Sequence, residues 1–305
     1  MRKSSRATAM RQVVFATVLN GRHLINVSVG PSYDPVLLSL EGIPDYRKET
    51  NHGSFAKKQA ARPNQFRIHR LAGNEWVTTD LPATKENYHF VQALPGAEWL
   101  LVRARATGAK DRNAHVHAPD GRLLRSFHAG DGIQDVQTTE QGLVWVSYFD
   151  EGVFGDTQLG RSGLACLDRR GQVSFRFTDL STERLVQNMA DCYALNVCSD
   201  TETWLYYYTD FLLVRLVERQ LAASWMMPIR GSHGFAVDGS RVLLGGSYDR
   251  QESLFLGDLE TLKFRQMTPV DEGGRPLKKF RAFGREHNLY LAVEKALYVV
   301  DLRAL

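Results

Sequence analysis

Asp131, Asp135, Asp150, Glu151 and Asp156 crowd one stretch of the chain, GDGIQDVQTTEQGLVWVSYFDEGVFGD (130–156). Carboxylates at that density are the material of an oxygen-rich cation site, and calcium takes about six to eight oxygen ligands, often from loops. Asp135, Glu151 and Asp156 are the candidate metal ligands, with Asp131 on the segment before them. Asp150 has a plainer reading. SYFD (147–150) returns as SYD (247–249) and more loosely as YTD (208–210). An Asp that closes the same kind of strand several times is most simply a turn residue bonding its own following backbone. The six residues EGVFGD (151–156) have no such echo and are the more specific feature.

Histidines and a basic segment supply the other candidate chemistry. His89 and His233 stand at the start of apolar runs, where a histidine can act as a general base or simply line a polar surface. His115 and His117 alternate in AHVHA and share one face, enough for two corners of a metal site. No third ligand stands near them, and positions on outer strands are expected to face solvent. Residues 43–65, IPDYRKETNHGSFAKKQAARPNQ, carry Arg47, Lys48, Lys57, Lys58 and Arg62 against Asp45 and Glu49, with Tyr46 and Phe55 between them. A loop of this length is uncommon unless functional or disordered. It could grip phosphate or an acidic partner, or be a solvated and partly disordered insertion. GxSxG, P-loop and GxGxxG patterns are missing. GRSGLAC (160–166) falls where a strand begins, without the strand-to-helix turn a serine nucleophile needs.

The rest of the composition narrows the classes. The 305 residues are 43% hydrophobic and 24% charged, with a formal net charge of +4. That is a soluble globular balance, and its mild basicity argues against a dedicated nucleic-acid binder. No apolar run approaches the roughly 20 residues of a membrane helix. Cys166, Cys192 and Cys198 cannot all pair. Cys192 and Cys198 fall on one strand, about 20 Å apart if extended, which is too far for a disulfide. Buried reduced thiols and a cytoplasmic location are expected.

These side chains must be positioned by a repeat. HFVQALPGAEWLLVRARATG, IQDVQTTEQGLVWVSYFDEG, CYALNVCSDTETWLYYYTD, GFAVDGSRVLLGGSYDR and FRAFGREHNLYLAVEKA each read as a half-apolar strand, a polar turn and a more continuously apolar strand. LINVSVGPSYDPVLLSLEG has the same form. All but the last run are followed by a second hairpin, such as NAHVHAPDGRLLRSF or GLACLDRRGQVSFRF, with Gly, Asn or Asp at the turn. The unit is therefore four antiparallel strands, starting near Leu24, Phe90, Gln134, Tyr193, Phe235 and Arg281. Units of about 40–50 residues in this form predict an all-β, six-bladed β-propeller spanning 1–305 as one domain. Only Leu180–Met189 suggests a short helix. The last unit has three strands before the chain stops. An unassigned strand near the N-terminus, RQVVFATVL (11–19), is the expected fourth, closing the blade three-plus-one and covering an otherwise open edge.

The unit DG…DVQTTEQGLVWVS resembles the repeats of NHL-type, gluconolactonase-like and bacterial sensor-type propellers, over nearly the whole chain. WD-repeat signatures are missing. The resemblance implies that ligands bind at the mouth of a central channel, among loops between blades and between second and third strands. It places His89, His233, Glu151, Asp156, Asp135 and the 42–64 insertion near that mouth. A gluconolactonase-like protein would hold a divalent cation such as calcium there, with ligands from several blades. Glu41, Asn196 and Asp249 are available but do not complete that family's set. Two functions remain open. One is a non-catalytic propeller scaffold that docks a protein or small-molecule ligand on its mouth loops. The other is a hydrolase or lyase, lactonase-like and metal-dependent, at the same place.

Overall fold

The computed structural model describes residues 5–7, 10–51, 53–183 and 185–305. The strand pairs read from the sequence become six antiparallel four-stranded meanders. Blade 1 is His23–Val29, Pro35–Leu40, Phe66–Ala72 and Glu75–Asp80. Blade 2 is Phe90–Leu94, Glu98–Val102, Ala114–His117 and Leu123–Phe127. Blade 3 is Ile133–Thr138, Val144–Tyr148, Leu164–Leu167 and Val173–Arg176. Blade 4 is Asp191–Val197, Glu202–Tyr208, Leu212–Val217 and Gln220–Met226. Blade 5 is Gly234–Asp238, Arg241–Gly245, Leu254–Asp258 and Lys263–Pro269. Blade 6 is Arg281–Arg285, Asn288–Ala292 and Ala296–Asp301, completed by Met10–Val14 from the N-terminal end. The protein is an all-β, six-bladed β-propeller.

The chain divides into two compact units. Val18–Thr182 holds blades 1–3, and Met1–Thr17 with Glu183–Leu305 holds blades 4–6. Within each unit the core lies between successive blades. Leu38, Leu40, Phe66, Val91 and Leu101 pack together in one such layer, and Val102, Val116, Val136, Val146 and Tyr148 in the next. This explains the strand patterns. A second strand is covered on both faces, so Pro35–Leu40 and Val144–Tyr148 are buried along their whole length. The fourth strand is covered on one side only, so Gln220–Met226 alternates between exposed and partly buried residues.

The N-terminal strand closes blade 6 as expected. Met10–Val14 pairs antiparallel with Ala296–Val300. The expected strand at 11–19 is shorter than that, because Ala16–Leu19 turns into a single helical turn. Ser5–Ala7 adds a further strand, parallel, to the outer edge of blade 5. The expected short helix also shifts, to Phe177–Thr182. Two further helical turns, Asp150–Val153 and Gln158–Arg161, lie at the end of the acidic stretch and just beyond it. No helix among the described residues is long and apolar enough to cross a membrane. All three cysteines are free, with Cys166 and Cys192 buried.

The basic segment 43–65 is folded, with much of it exposed. Arg47–Thr50 pairs with Gly53–Ala56 as a hairpin, and Gln59–Asn64 pairs with Thr84–Glu86. Its base is tied to the body by polar bonds. The Asp45 carboxylate accepts from Lys57 Nζ at 2.5 and 2.7 Å and from the Ala61 amide at 2.8 Å. The Asn87 amide donates to the carbonyls of Asp45 and Lys57. The Tyr46 hydroxyl donates to the Tyr88 carbonyl.

Candidate ligand-binding cavity

A cavity of about 610 Å³ opens inside the unit of blades 1–3. Four chain segments build its wall. Leu24 and Ile25 come from the first strand of blade 1, and His89 from the residue before blade 2. Ala104 and Arg105 follow the second strand of blade 2, and Phe149 and Glu151 follow that of blade 3. Tyr46, Arg47, Ala56 and Lys58 come from the folded insertion.

A recurrent irregularity aims part of this wall. In blade 1 the pairing runs Leu24 to Ser39 and then Asn26 to Leu38, which leaves Ile25 as a bulged residue. Blades 3 and 4 bulge the same way at Gln134 and Tyr193. A bulge re-aims its residue out of the regular alternation, and Ile25 is turned to the cavity.

Arg105 is the best-held charge in the site. Its Nε and Nη2 donate to the two oxygens of Asp131 at 3.0 and 3.2 Å. Asp131 Oδ1 also accepts from the Ala106 amide at 2.7 Å. The third edge of the guanidinium, Nη1, reaches Glu151, and the plane lies 5.9 Å from the Phe149 ring centroid. The short helix Asp150–Val153 that carries Glu151 sits directly on Gly132. The Phe149 amide donates to the Gly132 carbonyl at 3.0 Å. Gly132 has φ of +68°, and a Cβ there would fall 2.3 Å from the Gly152 nitrogen. Gly132 and Gly152, which follow Asp131 and Glu151, are therefore required by this close approach.

Behind the wall, the buried Arg103 pairs with Glu86 and with Asp111, the latter at 2.8 Å. It also donates to the carbonyls of Lys58 and Arg105, fixing the insertion against blade 2. Arg105 in the cavity wall and Arg103 behind it are not among the residues singled out from the sequence. The signal available was the alternation RAR at the end of an apolar strand.

His89 is neutral. Burial draws its pKa down to about 4, against the pull of the Asn87 carbonyl and with help from the Arg103 and Arg105 charges. The Ala104 amide donates to Nδ1 at 3.2 Å, so the ring proton resides on Nε2. The ring also meets Tyr46 edge-on at 4.8 Å.

The structure brings some of the expected residues together and separates others. His89, Glu151, Arg47 and Lys58 line one cavity. Lys57 is held by Asp45 at the hairpin base, and Lys48 is exposed and does not line the cavity. The Phe55 side chain lies outside the described residues. His233 belongs to the other unit, where it is exposed and meets Tyr193 edge-on at 5.1 Å. His115 and His117 face inward, against Tyr88, rather than outward. Their strand is third in its blade and still covered by the neighbouring blade.

The acidic residues do not gather. Asp135 Oδ1 accepts from the Val136 amide and Oδ2 from Gln137. Glu151 is neutralised by Arg105, and Asp156 is fully exposed beside Arg161 at 3.9 Å. Among the described residues no three His, Cys, Asp or Glu side chains form a group that could hold a metal ion. The set Asp135, Glu151 and Asp156 does not fit calcium, which needs several converging oxygens. Asp150 opens the helical turn, its carboxylate accepting from the Glu151 amide at 2.7 Å.

The comparisons with known proteins agree with this architecture. A model of the YxzG family matches residues 164–300. No curated protein matches the sequence. Among solved structures, virginiamycin B lyase from Staphylococcus aureus is similar over 95% of this chain and 98% of its own, with a TM-score of 0.53 and 9% identity. A streptogramin B lyase aligns over 97% and 99%, with a TM-score of 0.51 and 8% identity. The WD40 β-propeller domain of Doa1 aligns over 98% and 97%, with a TM-score of 0.51 and 10% identity. At such identities the likeness is one of fold, and a propeller fold serves both enzymes and binding proteins.

Proposed function

We propose that the protein is a ligand-binding propeller that takes a small anionic molecule in the cavity of blades 1–3. One observation carries the reading. Arg47, Lys58 and Arg105 line a cavity of about 610 Å³ with Glu151, while Asp131 pairs with Arg105, so three cations meet two carboxylates. Arg47 and Lys58 have no ion-pair partner among the described residues. Cavities of roughly 300–1,000 Å³ are the usual size for small molecules. The remaining wall is apolar, from Leu24, Ile25, Ala56, Ala104 and Phe149, which suits a ligand with an anionic head and an apolar body.

Binding is favoured over catalysis at this place because of His89. A general base needs a free lone pair. The Nδ1 lone pair of His89 is taken by the Ala104 amide, and Nε2 bears the proton. The ring proton is itself drawn to the Asn87 carbonyl, so the neutral ring is engaged within the wall on both counts.

The test is a thermal-shift and titration series on the full chain with small carboxylates, inorganic phosphate and neutral amides. Ligand binding raises the melting temperature by mass action. Anions are expected to raise it and amides of equal shape not to. The Arg47→Gln, Lys58→Gln double variant is expected to bind anions at least tenfold more weakly, since a charge-assisted hydrogen bond contributes about 1.5–3 kcal/mol. Equal response to anions and amides would overturn the reading.

A further inference from the structure

Glu151 stands where a ligand carboxylate would stand. Resting on the ligand reading above, we infer that Glu151 is a built-in occupant of Arg105, and that the ligand is a small carboxylate with an apolar body that displaces it.

The two carboxylates on Arg105 are not equivalent. Asp131 takes the Nε and Nη2 edge with both oxygens and is itself held by the Ala106 amide. Its side chain is 18% exposed. Glu151 takes Nη1 alone and is 60% exposed. Asp131 therefore sets the plane of the guanidinium, and Glu151, which lines the cavity with Arg105, fills the remaining edge. Exposed ion pairs contribute little to stability, so Glu151 can be exchanged at small cost. Another carboxylate in its place keeps the ion pair and the hydrogen bond at Nη1, while the displaced Glu151 carboxylate is solvated and the added negative charge falls to Arg47 and Lys58.

The exchange is a side-chain swing and not a loop opening. The helical turn beneath Glu151 is pinned. The Phe149 amide bonds to Gly132, the Gly152 amide bonds to Phe149, and a Cβ on Gly152 would lie 2.5 Å from the Asp131 carbonyl. Only the Glu151 side chain has room to leave, and it leaves toward solvent. The apolar residues around Arg105 then receive the body of the ligand, and Lys58 and Arg47 hold the charge from the insertion side. This gives the unshared segment EGVFGD a purpose. It supplies an internal competitor that keeps Arg105 oriented and paired when the cavity is unliganded.

Titration calorimetry on the full chain tests this with hexanoate, hexanamide and inorganic phosphate as probes. The variants are Glu151→Gln and, as a control in the same segment, Asp156→Asn. Glu151→Gln is expected to bind hexanoate roughly three- to tenfold more tightly than the wild type, with hexanamide unchanged and Asp156→Asn like the wild type. Hexanoate binding by Glu151→Gln alone also supports displacement. Hexanoate binding by the wild type that Glu151→Gln leaves equal or weakens overturns displacement and spares the anion-binding reading. So does equal tightening by Asp156→Asn, which would be a bulk charge effect. Binding of phosphate but not hexanoate overturns the carboxylate assignment. Silence of both proteins toward hexanoate and phosphate overturns both readings.

Discussion

Removal of residues 1–15 takes away the strand that completes blade 6. Its cost can be worked from the pairs it makes. Met10–Val14 lies along Ala296–Val300, and the Phe15 amide continues the contact to the Lys295 carbonyl at 3.1 Å. The ladder bonds contribute about 0.5–1.5 kcal/mol each. Ordering each backbone residue costs about 1–2 kcal/mol, so ladder and ordering roughly cancel. What remains is side-chain burial. Phe15 is fully buried and Val13 is 8% exposed. Burying such side chains stabilises by about 1.5–3 kcal/mol each, so the truncation is expected to cost about 4 kcal/mol. In a chain of this size 1 kcal/mol moves the melting temperature by about 2–4 °C, which puts the truncated chain roughly 8–16 °C below the full one. It also uncovers the Ala296–Asp301 edge, so loss of solubility on heating is expected as well. Circular dichroism melts of both chains make the comparison. A truncated chain melting within about 2 °C of the full one would refute the closure argument.

Two further outcomes follow from the blades 1–3 unit. Gly152→Ala places a methyl 2.5 Å from the Asp131 carbonyl and 2.8 Å from that of Gly132. Backbone cannot give way as a side chain can, so destabilisation of about 1–3 kcal/mol is expected, and an unchanged melting temperature would count against this packing. Stability should also fall in mild acid. Burial lowers the pKa values of His69, His89 and His115 to about 4, while their unfolded values stay near 6.5. The folded chain favours the neutral rings, so this stability is full above pH 6.5 and is lost as pH falls toward 4. Each histidine is expected to remove about 2 kcal/mol between pH 7 and pH 5. Urea midpoints at the two pH values measure it, and a flat response would show that the rings are not held neutral.

Much of the architecture was legible because it rests on short-range signals. Alternating or continuous apolar runs, broken by Gly, Asn and Asp turns, mark strands by their period. The missing fourth strand of the last repeat pointed to a partner elsewhere in the chain. The bulges were not legible. An extra residue within the apolar run LINVSV leaves its composition unchanged, so nothing announces that Ile25 is turned aside. The pairing within the insertion was not legible for a related reason. Its order comes from Asn87, which bonds to carbonyls 42 and 30 residues before it, and composition carries no trace of such bonds.

The acidic stretch teaches the sharper lesson. Asp131, Asp135, Asp150, Glu151 and Asp156 suggest a cation site from sequence, and a metal is the cation they suggest. The cation found is Arg105, 26 residues before Asp131 and 46 before Glu151. A carboxylate cluster does not record what its members meet, whether a metal ion, an arginine or neighbouring amides. What separates metal from arginine is whether the acids converge on a point or face a planar fork. Asp131 meets the fork with both oxygens, a geometry that suits guanidinium and does not build the six or more oxygens of a calcium shell. Asp135 and Asp156 point to partners of their own. The same argument assigns the roles of the two acids that do converge. The better-buried Asp131, bonded at both oxygens, orients the arginine, and the exposed, singly bonded Glu151 is the group that an incoming anion can replace.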